Sequence, residues 1–200
     1  MNDVTGAVLV GGRSARMGCD KASMLVDGLP LASFPVASLA RVAGEVLLVG
    51  RAVAGVSGRV VHDAVEGAGP LSGLVAAARA ARTPLLVAAA CDMPSITQLL
   101  LDLLLSRLRS DRGASVVLCR SDAGLEPFPV AMRVVVEPRL SLLLDRGVLA
   151  LHDALGELDP VVIAPSDWRA VDPQGSSFVN WNRPQDVRQG LSRPRTIPGR

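Results

Sequence analysis

Residues 4–10, VTGAVLV, show no alternation of apolar and polar side chains, and Gly11-Gly12 follow at once. An apolar run that does not alternate makes a strand buried on both faces, and such strands belong to parallel sheets covered by helices. Residues 11–21, GGRSARMGCDK, then place three glycines, Arg13, Arg16 and Lys21 in the loop beyond that strand. Glycine lets a backbone approach phosphate oxygens, because no Cβ stands in the way. Successive N–H groups in a tight loop form a concavity for anions, and Arg and Lys add positive charge there. The stretch is therefore a candidate polyphosphate site.

Neither common phosphate motif describes it. A Walker A loop needs Lys directly after its last glycine, whereas Cys19 follows Gly18. A dinucleotide fingerprint needs Gly-x-Gly-x-x-Gly, and Gly11-Gly12-Arg13-Ser14 breaks it.

Further apolar segments at 45–49, 59–62, 85–90, 114–119 and 161–163 read as strands. Helical spacing at 31–43, 70–82 and 96–108 separates them. Pro70 suits the first turn of its helix. Ser95 is a candidate cap for 96–108, with Gln98 as a weak capping-box partner. Residues 126–129, EPFP, are expected to break the chain before 130–132, with helices over 133–144 and 148–155 and a short one from Pro184.

This alternation implies a single-domain α/β fold with a mostly parallel, Rossmann-like sheet and helices on both faces. Ligands of such sheets bind beyond the carboxyl ends of the strands. Gly11, Asp63 and Asp92 each stand just past a predicted strand. The domain is expected to span 1–189, with a mobile Pro/Arg-rich tail at 190–200.

Several function classes fall away. Of the 200 residues 49% are apolar but only 2% aromatic, with no tyrosine, so base stacking on aromatic platforms is not available. A net charge of +2 is too small to mark a nucleic-acid surface. Cys19, Cys91 and Cys119 lack CxxC or His spacing and read as reduced thiols. The N-terminal stretch has no basic region of a signal peptide, and no apolar run reaches membrane-spanning length. The expectation is a cytoplasmic protein with neither membrane nor nucleic acid as partner. His62 and His152 have no paired nucleophile or metal-spaced neighbour, and Ser14 lacks an elbow motif.

Asp92 ends a run of uncharged residues, 85–91, so its carboxylate should emerge at the ligand edge. Magnesium takes oxygen ligands and commonly joins one carboxylate to substrate phosphates. The competing role, capping the next helix, falls better to Ser95. Lys21 and Arg16 are the cations placed to meet phosphates, with Asp20 orienting Lys21.

The form L-x-G-G-x-S-x-R-M-G-x-D-K at 9–21 resembles the signature loop of nucleotidyltransferases that activate sugar phosphates and cofactors. More narrowly it resembles the molybdenum cofactor guanylyltransferase (MobA) family. Four later segments are similar to that family in the same order. They are Asp63 with Gly69-Pro70-Leu71-Ser72-Gly73, then Cys91-Asp92-Met93-Pro94, then EPFPVAM at 126–132, then FVNWNRPQD at 178–186.

The resemblance implies a fold of the nucleotide-diphospho-sugar transferase type. It implies transfer of GMP from GTP to molybdopterin, or Mo-molybdopterin, with release of pyrophosphate. Mg2+ would sit on Asp92. The nucleotide would be held by Leu9, Val10, Gly11, Gly12, Lys21, Asp63 and Asp92, and the chemistry supported by Lys21, Arg16 and Asp92. Asn180 and Asn182 would lie on the acceptor or metal side. Other cofactor-assembly proteins are implied as further partners. Gly11 favours guanine, since cytidylyl relatives usually carry Ala there. Cytidylyl transfer, a different phosphate acceptor, and a non-catalytic nucleotide-binding partner remain open. There are departures: Val10 replaces Ala and is expected to add bulk against the nucleotide. Gly50 stands where some members have a polar residue, Trp181 replaces a small aliphatic one, and Arg183 replaces Thr.

Overall fold

The structure, a computed structural model, describes residues 3–11 and 20–181. The described elements are β1 (Val4–Leu9), β2 (Leu25–Val26), β3 (Leu29–Pro30), α1 (Ser33–Leu39), β4 (Glu45–Val49), β5 (Arg59–Val61) and α2 (Pro70–Ala80). They continue with β6 (Leu85–Ala90), α3 (Gln98–Ser110), β7 (Val116–Ser121), β8 (Gly124–Arg133), α4 (Glu137–Asp145), α5 (Leu151–Gly156), β9 (Val161–Ile163) and α6 (Pro165–Trp168).

Seven strands form one sheet in the order β5-β4-β1-β6-β8-β7-β9, and β2 pairs with β3 in a separate hairpin. The sheet is parallel except for β8, which runs antiparallel to both β6 and β7. β1 lies between β4 and β6, which explains its lack of alternation: all six of its residues are buried. α1 packs with α3 on one face, and α2 packs with α4 and α5 on the other. The core is aliphatic, filled by residues such as Leu47, Leu74, Leu86, Leu104 and Val117. Each such side chain contributes about 1.5–3 kcal/mol relative to exposure.

Three expectations need correction. Residues 126–129 do not break the chain; they lie inside the ten-residue strand β8. β6 pairs with β8 only from Val130 to Arg133, and the β7 ladder shifts register between Val117 and Cys119. Pro127 and Pro129 therefore fall where the ladders ask for no amide donor. The predicted helix start at Arg133 is the end of that strand. Its N–H donates to Ser115 O at 2.9 Å, and its guanidinium donates to Ala114 O and Leu108 O at 2.9 and 2.8 Å. The helix begins only at Glu137, after a 3-10 turn over Val134–Val136.

Third, Thr97 rather than Ser95 caps α3, with its hydroxyl accepting from Leu100 N–H at 3.2 Å. Asp92 does not cap that helix, as expected. The predicted helix from Pro184 and the tail at 190–200 lie outside the described residues. Among the described residues, no helix is long and apolar enough to cross a membrane.

The cap assignment is measurable by urea unfolding. Thr97→Ala should lower stability by about 1 kcal/mol, while Ser95→Ala should leave the midpoint close to wild type.

Candidate active site

Parallel hydrogen bonding brings four strand ends to one place. Val10 N–H donates to Val49 O at 2.8 Å, Cys91 N–H to Leu9 O at 3.1 Å, and Gly50 N–H to Val61 O at 2.7 Å. The residues that follow β1, β4, β5 and β6 are thus Gly11, Gly50-Arg51, Asp63 and Asp92 along one edge.

Gly50 has φ +112°, and a Cβ there would lie 2.8 Å from Gly11 N and 2.9 Å from Gly11 Cα. Glycine at 50 is therefore required by the close crossing of two backbones. Gly11 is exposed, and a Cβ on it would come 3.1 Å from Asp63 Oδ2. The absent side chain keeps the face of the Asp63 carboxylate open. Leu9 and Val10 have buried side chains, so only their backbone can face a ligand. This corrects the expectation for Val10, whose bulk goes into the core.

α2 explains the Gly-Pro-Leu-Ser-Gly pattern. Gly69 takes φ +83° as the N-cap, and Pro70 opens the helix with its φ already set. Ser72 is fully buried; Val65 N–H donates to its Oγ at 2.6 Å, and that hydroxyl donates to Val65 O at 2.8 Å. A Cβ on Gly73 would lie 3.1 Å from Leu9 Cδ2 and 3.3 Å from Asp63 Oδ1. The missing side chains let α2 press against β1 and hold the loop carrying Asp63.

Asp20 and Lys21 reach to opposite sides of β1. Lys21 Nζ lies 3.6 Å from Asp92 Oδ2, both side chains mostly buried. Asp20 forms an ion pair with Arg51 beyond β4. Asp20 was expected to orient Lys21; instead it pairs with Arg51. Both partners there are 41% exposed, so the pair adds about 0–1 kcal/mol. Its effect is on the direction of the chain as it returns to the sheet edge.

Burial raises the Asp92 carboxyl above its ordinary range, while Lys21 pulls it back down. Burial also raises Asp63, with His62 acting against it and Glu66 adding to it. Burial and the neighbouring Asp92 push the Cys91 thiol up to about 12, so it stays protonated and is no nucleophile. Among the described residues, no group of three or more His, Cys, Asp or Glu could hold a metal. His62 and His152 are both exposed, and His62 stands at this edge directly before Asp63.

Asn180 is exposed and sits beside the site, because the N–H of the next residue, Trp181, donates to Asp92 O at 2.8 Å. Gly12, Arg16 and Asn182 lie outside the described residues. Arg51 was not singled out from the sequence. It stands just past a strand, the same rule that found Asp63 and Asp92.

A family model described as a MobA-like NTP transferase domain matches residues 6–169. The chain belongs to the MobA-like NTP transferase family. A MobA-like relative named "probable molybdenum cofactor guanylyltransferase" from Opitutus terrae is 34% identical, with 92% of each chain covered. One named molybdenum cofactor guanylyltransferase from Ralstonia nicotianae is 34% identical over 68% of this chain and 63% of its own. The MobA-like fold recurs in molybdopterin-guanine dinucleotide biosynthesis protein A from Archaeoglobus fulgidus, at TM-score 0.78, 23% identity and 92% and 95% coverage. It recurs also in 2-C-methyl-D-erythritol 4-phosphate cytidylyltransferase from Thermus thermophilus, at TM-score 0.64, 16% identity and 92% and 95% coverage.

The raised Asp63 carboxyl sets a pH dependence in the ligand-free protein. A carboxyl that holds its proton more tightly when folded favours the native state below the ordinary carboxylate range. That stabilisation is lost as pH rises through the folded pKa. Asp63→Asn removes the loss, so its melting temperature minus that of wild type should become more positive from pH 4 to pH 7. Thermal melts across that range measure it, and a flat difference would contradict the burial argument.

Proposed function

We propose that the chain transfers GMP from GTP to molybdopterin, giving the guanine dinucleotide cofactor and pyrophosphate. The observation that carries this reading is the Lys21–Asp92 pair beside Gly11 and Asp63, in a chain whose relatives are named molybdenum cofactor guanylyltransferases. The triphosphate lies over the loop from Gly11 to Lys21, where Lys21 and Arg16 counter its charge. Asp63 faces the nucleoside. Its carboxylate accepts hydrogen bonds from the ribose hydroxyls or from the N1–H and amino edge of guanine. The opening left by Gly11 in front of Asp63 supports guanine.

The reaction needs no protein nucleophile. An oxygen of the molybdopterin phosphate, already ionised, attacks the α-phosphorus. The bond from that phosphorus to the β-phosphate bridging oxygen breaks, and pyrophosphate leaves with the electron pair. Catalysis is positioning plus neutralisation of charge on the phosphates. Asn180 and Asn182 are assigned to the acceptor or metal side.

A divalent ion fits the donor set at Asp92. A single mostly buried carboxylate, with the other ligands left to phosphate oxygens and water, suits magnesium. Bound there, Mg2+ would supply Lewis-acid neutralisation of the phosphates. Lys21 then has a second role: it balances the buried Asp92 charge before substrate arrives and turns to phosphate afterwards.

We assign the nucleotidyltransferase domain to 1–189, with 190–200 as a Pro/Arg-rich tail. We place it in the cytoplasm, where thiols such as Cys91 and Cys119 stay reduced. Molybdopterin, Mo-molybdopterin and cofactor-assembly proteins are its partners, rather than membranes or nucleic acid.

Incubation with molybdopterin, Mg2+ and either GTP or CTP should release pyrophosphate with GTP far faster. Equal or better use of CTP overturns the base assignment. Asp92→Ala should lower turnover about 100-fold or more without unfolding the protein, checked by circular dichroism. Lys21→Ala should chiefly raise the nucleotide KM, and an unchanged KM would remove Lys21 from the phosphate contact.

A further inference from the structure

Lys21 and Asp92 come from two separate parts of the chain, and one residue touches both parts. Trp181 is 3% exposed and packs with Val26 and Leu31, each fully buried, and with Met24 and Phe34. This small cluster is distinct from the main core. It belongs to the segment that leaves Lys21: Leu31 N–H donates to Met24 O at 2.8 Å and Ala32 N–H to Ala22 O at 3.1 Å. The backbone N–H of the same tryptophan donates to the carbonyl of Asp92 at 2.8 Å.

The approach of Trp181 is itself built. Asp172 is buried and accepts from Ser176 N–H, Ser176 Oγ and Ser177 N–H at 3.1, 2.9 and 2.8 Å. The fully buried Ser177 hydroxyl accepts from Thr97 N–H at 3.1 Å. Residues 172–181 therefore run along the segment from Asp92 to Thr97 and end with an indole wedged under the hairpin. A second tie exists farther away, where Ser38 Oγ donates to Ile96 O at 2.8 Å. Trp181 acts next to the ion pair, through its side chain on one partner's segment and its backbone on the other's.

We infer that Trp181 is a positioning residue, which couples the Lys21 segment to the Asp92 loop and so sets the spacing of the two groups that handle nucleotide phosphates and metal. The functional half of this inference rests on the reading above; the coupling itself does not. The physical case is rigidity. A carboxylate and an ammonium 3.6 Å apart keep that separation only if both backbones are held. A buried indole resists displacement because moving it would open a cavity or expose a large apolar surface. A residue that orients a ligand-bearing group in this way typically changes metal affinity or activity about 10- to 100-fold when altered.

Hydrogen exchange of the ligand-free protein tests the coupling without any substrate. Trp181→Leu, and separately Leu31→Ala from the other side of the cluster, should speed exchange of 22–34 and 91–97 together. Exchange of β4 should stay unchanged. Leu108→Ala, a fully buried site in the main core, should lower the melting temperature without loosening those two segments selectively. Acceleration in only one segment, or in neither, overturns the coupling.

Calorimetry with Mg2+ and GTP then tests its consequence. Trp181→Leu and Leu31→Ala should weaken binding about tenfold or more, Trp181→Phe should restore most of it, and Leu108→Ala should bind as wild type. Wild-type affinity in Trp181→Leu, or an equal loss in Leu108→Ala, removes the functional role. Failure of the wild type itself to bind GTP would overturn the guanylyl reading and leave the exchange result to decide the coupling.

Discussion

The hydrogen bonds that close β1 against its two neighbours determine where everything else emerges. Val10 N–H meets Val49 O on one side, and Leu9 O receives Cys91 N–H on the other. Parallel register then leaves no choice about which residues come next at that edge: Gly11, Gly50 and Asp92 appear together. A shift of one residue would turn the inward side chains of a strand outward. Since β1 is buried on both faces, any such shift would break packing with α1 and α2 at once.

From that edge the site is made by subtraction as much as by addition. Gly11, Gly50 and Gly73 each lack a Cβ where one would meet Asp63, the Gly11 backbone or Leu9. The space they leave lets a carboxylate be buried beside open room for a ligand. Burial leaves the Asp63 and Asp92 carboxylates under-solvated when charged. Such groups gain most from a cationic or hydrogen-bonding partner that arrives from solution. Lys21 offsets part of that cost at Asp92, at a distance loose enough to be exchanged.

The alternation of apolar runs made the mostly parallel sheet legible, because a strand buried on both faces cannot hide its lack of polarity. Asp63 and Asp92 were legible for a related reason: each stands just past a strand, where the chain emerges at the ligand edge. Residues 126–129 read as a break because proline argues against strand in general, and the bulge and the staggered neighbours show that no amide donor is needed there. Arg133 looked helical from its neighbours and is held in the strand by carbonyls of Leu108 and Ala114. Thr97 and Ser95 are chemically similar caps, and the start of the helix at Gln98 decides between them, placing the Thr97 hydroxyl to accept from Leu100 N–H.

By itself, the sequence determined the α/β class, the glycine loop after the first strand, the carboxylates at strand ends and the family. Those follow from local patterning and from motifs contiguous along the chain. Tertiary structure alone decided the partners: Asp20 with Arg51, Lys21 with Asp92, and Trp181 with both Leu31 and the Asp92 carbonyl. The reason is physical. Periodicity tells which way a side chain faces relative to its own element. Which side chain from a distant element meets it depends on how the whole sheet orders its strands.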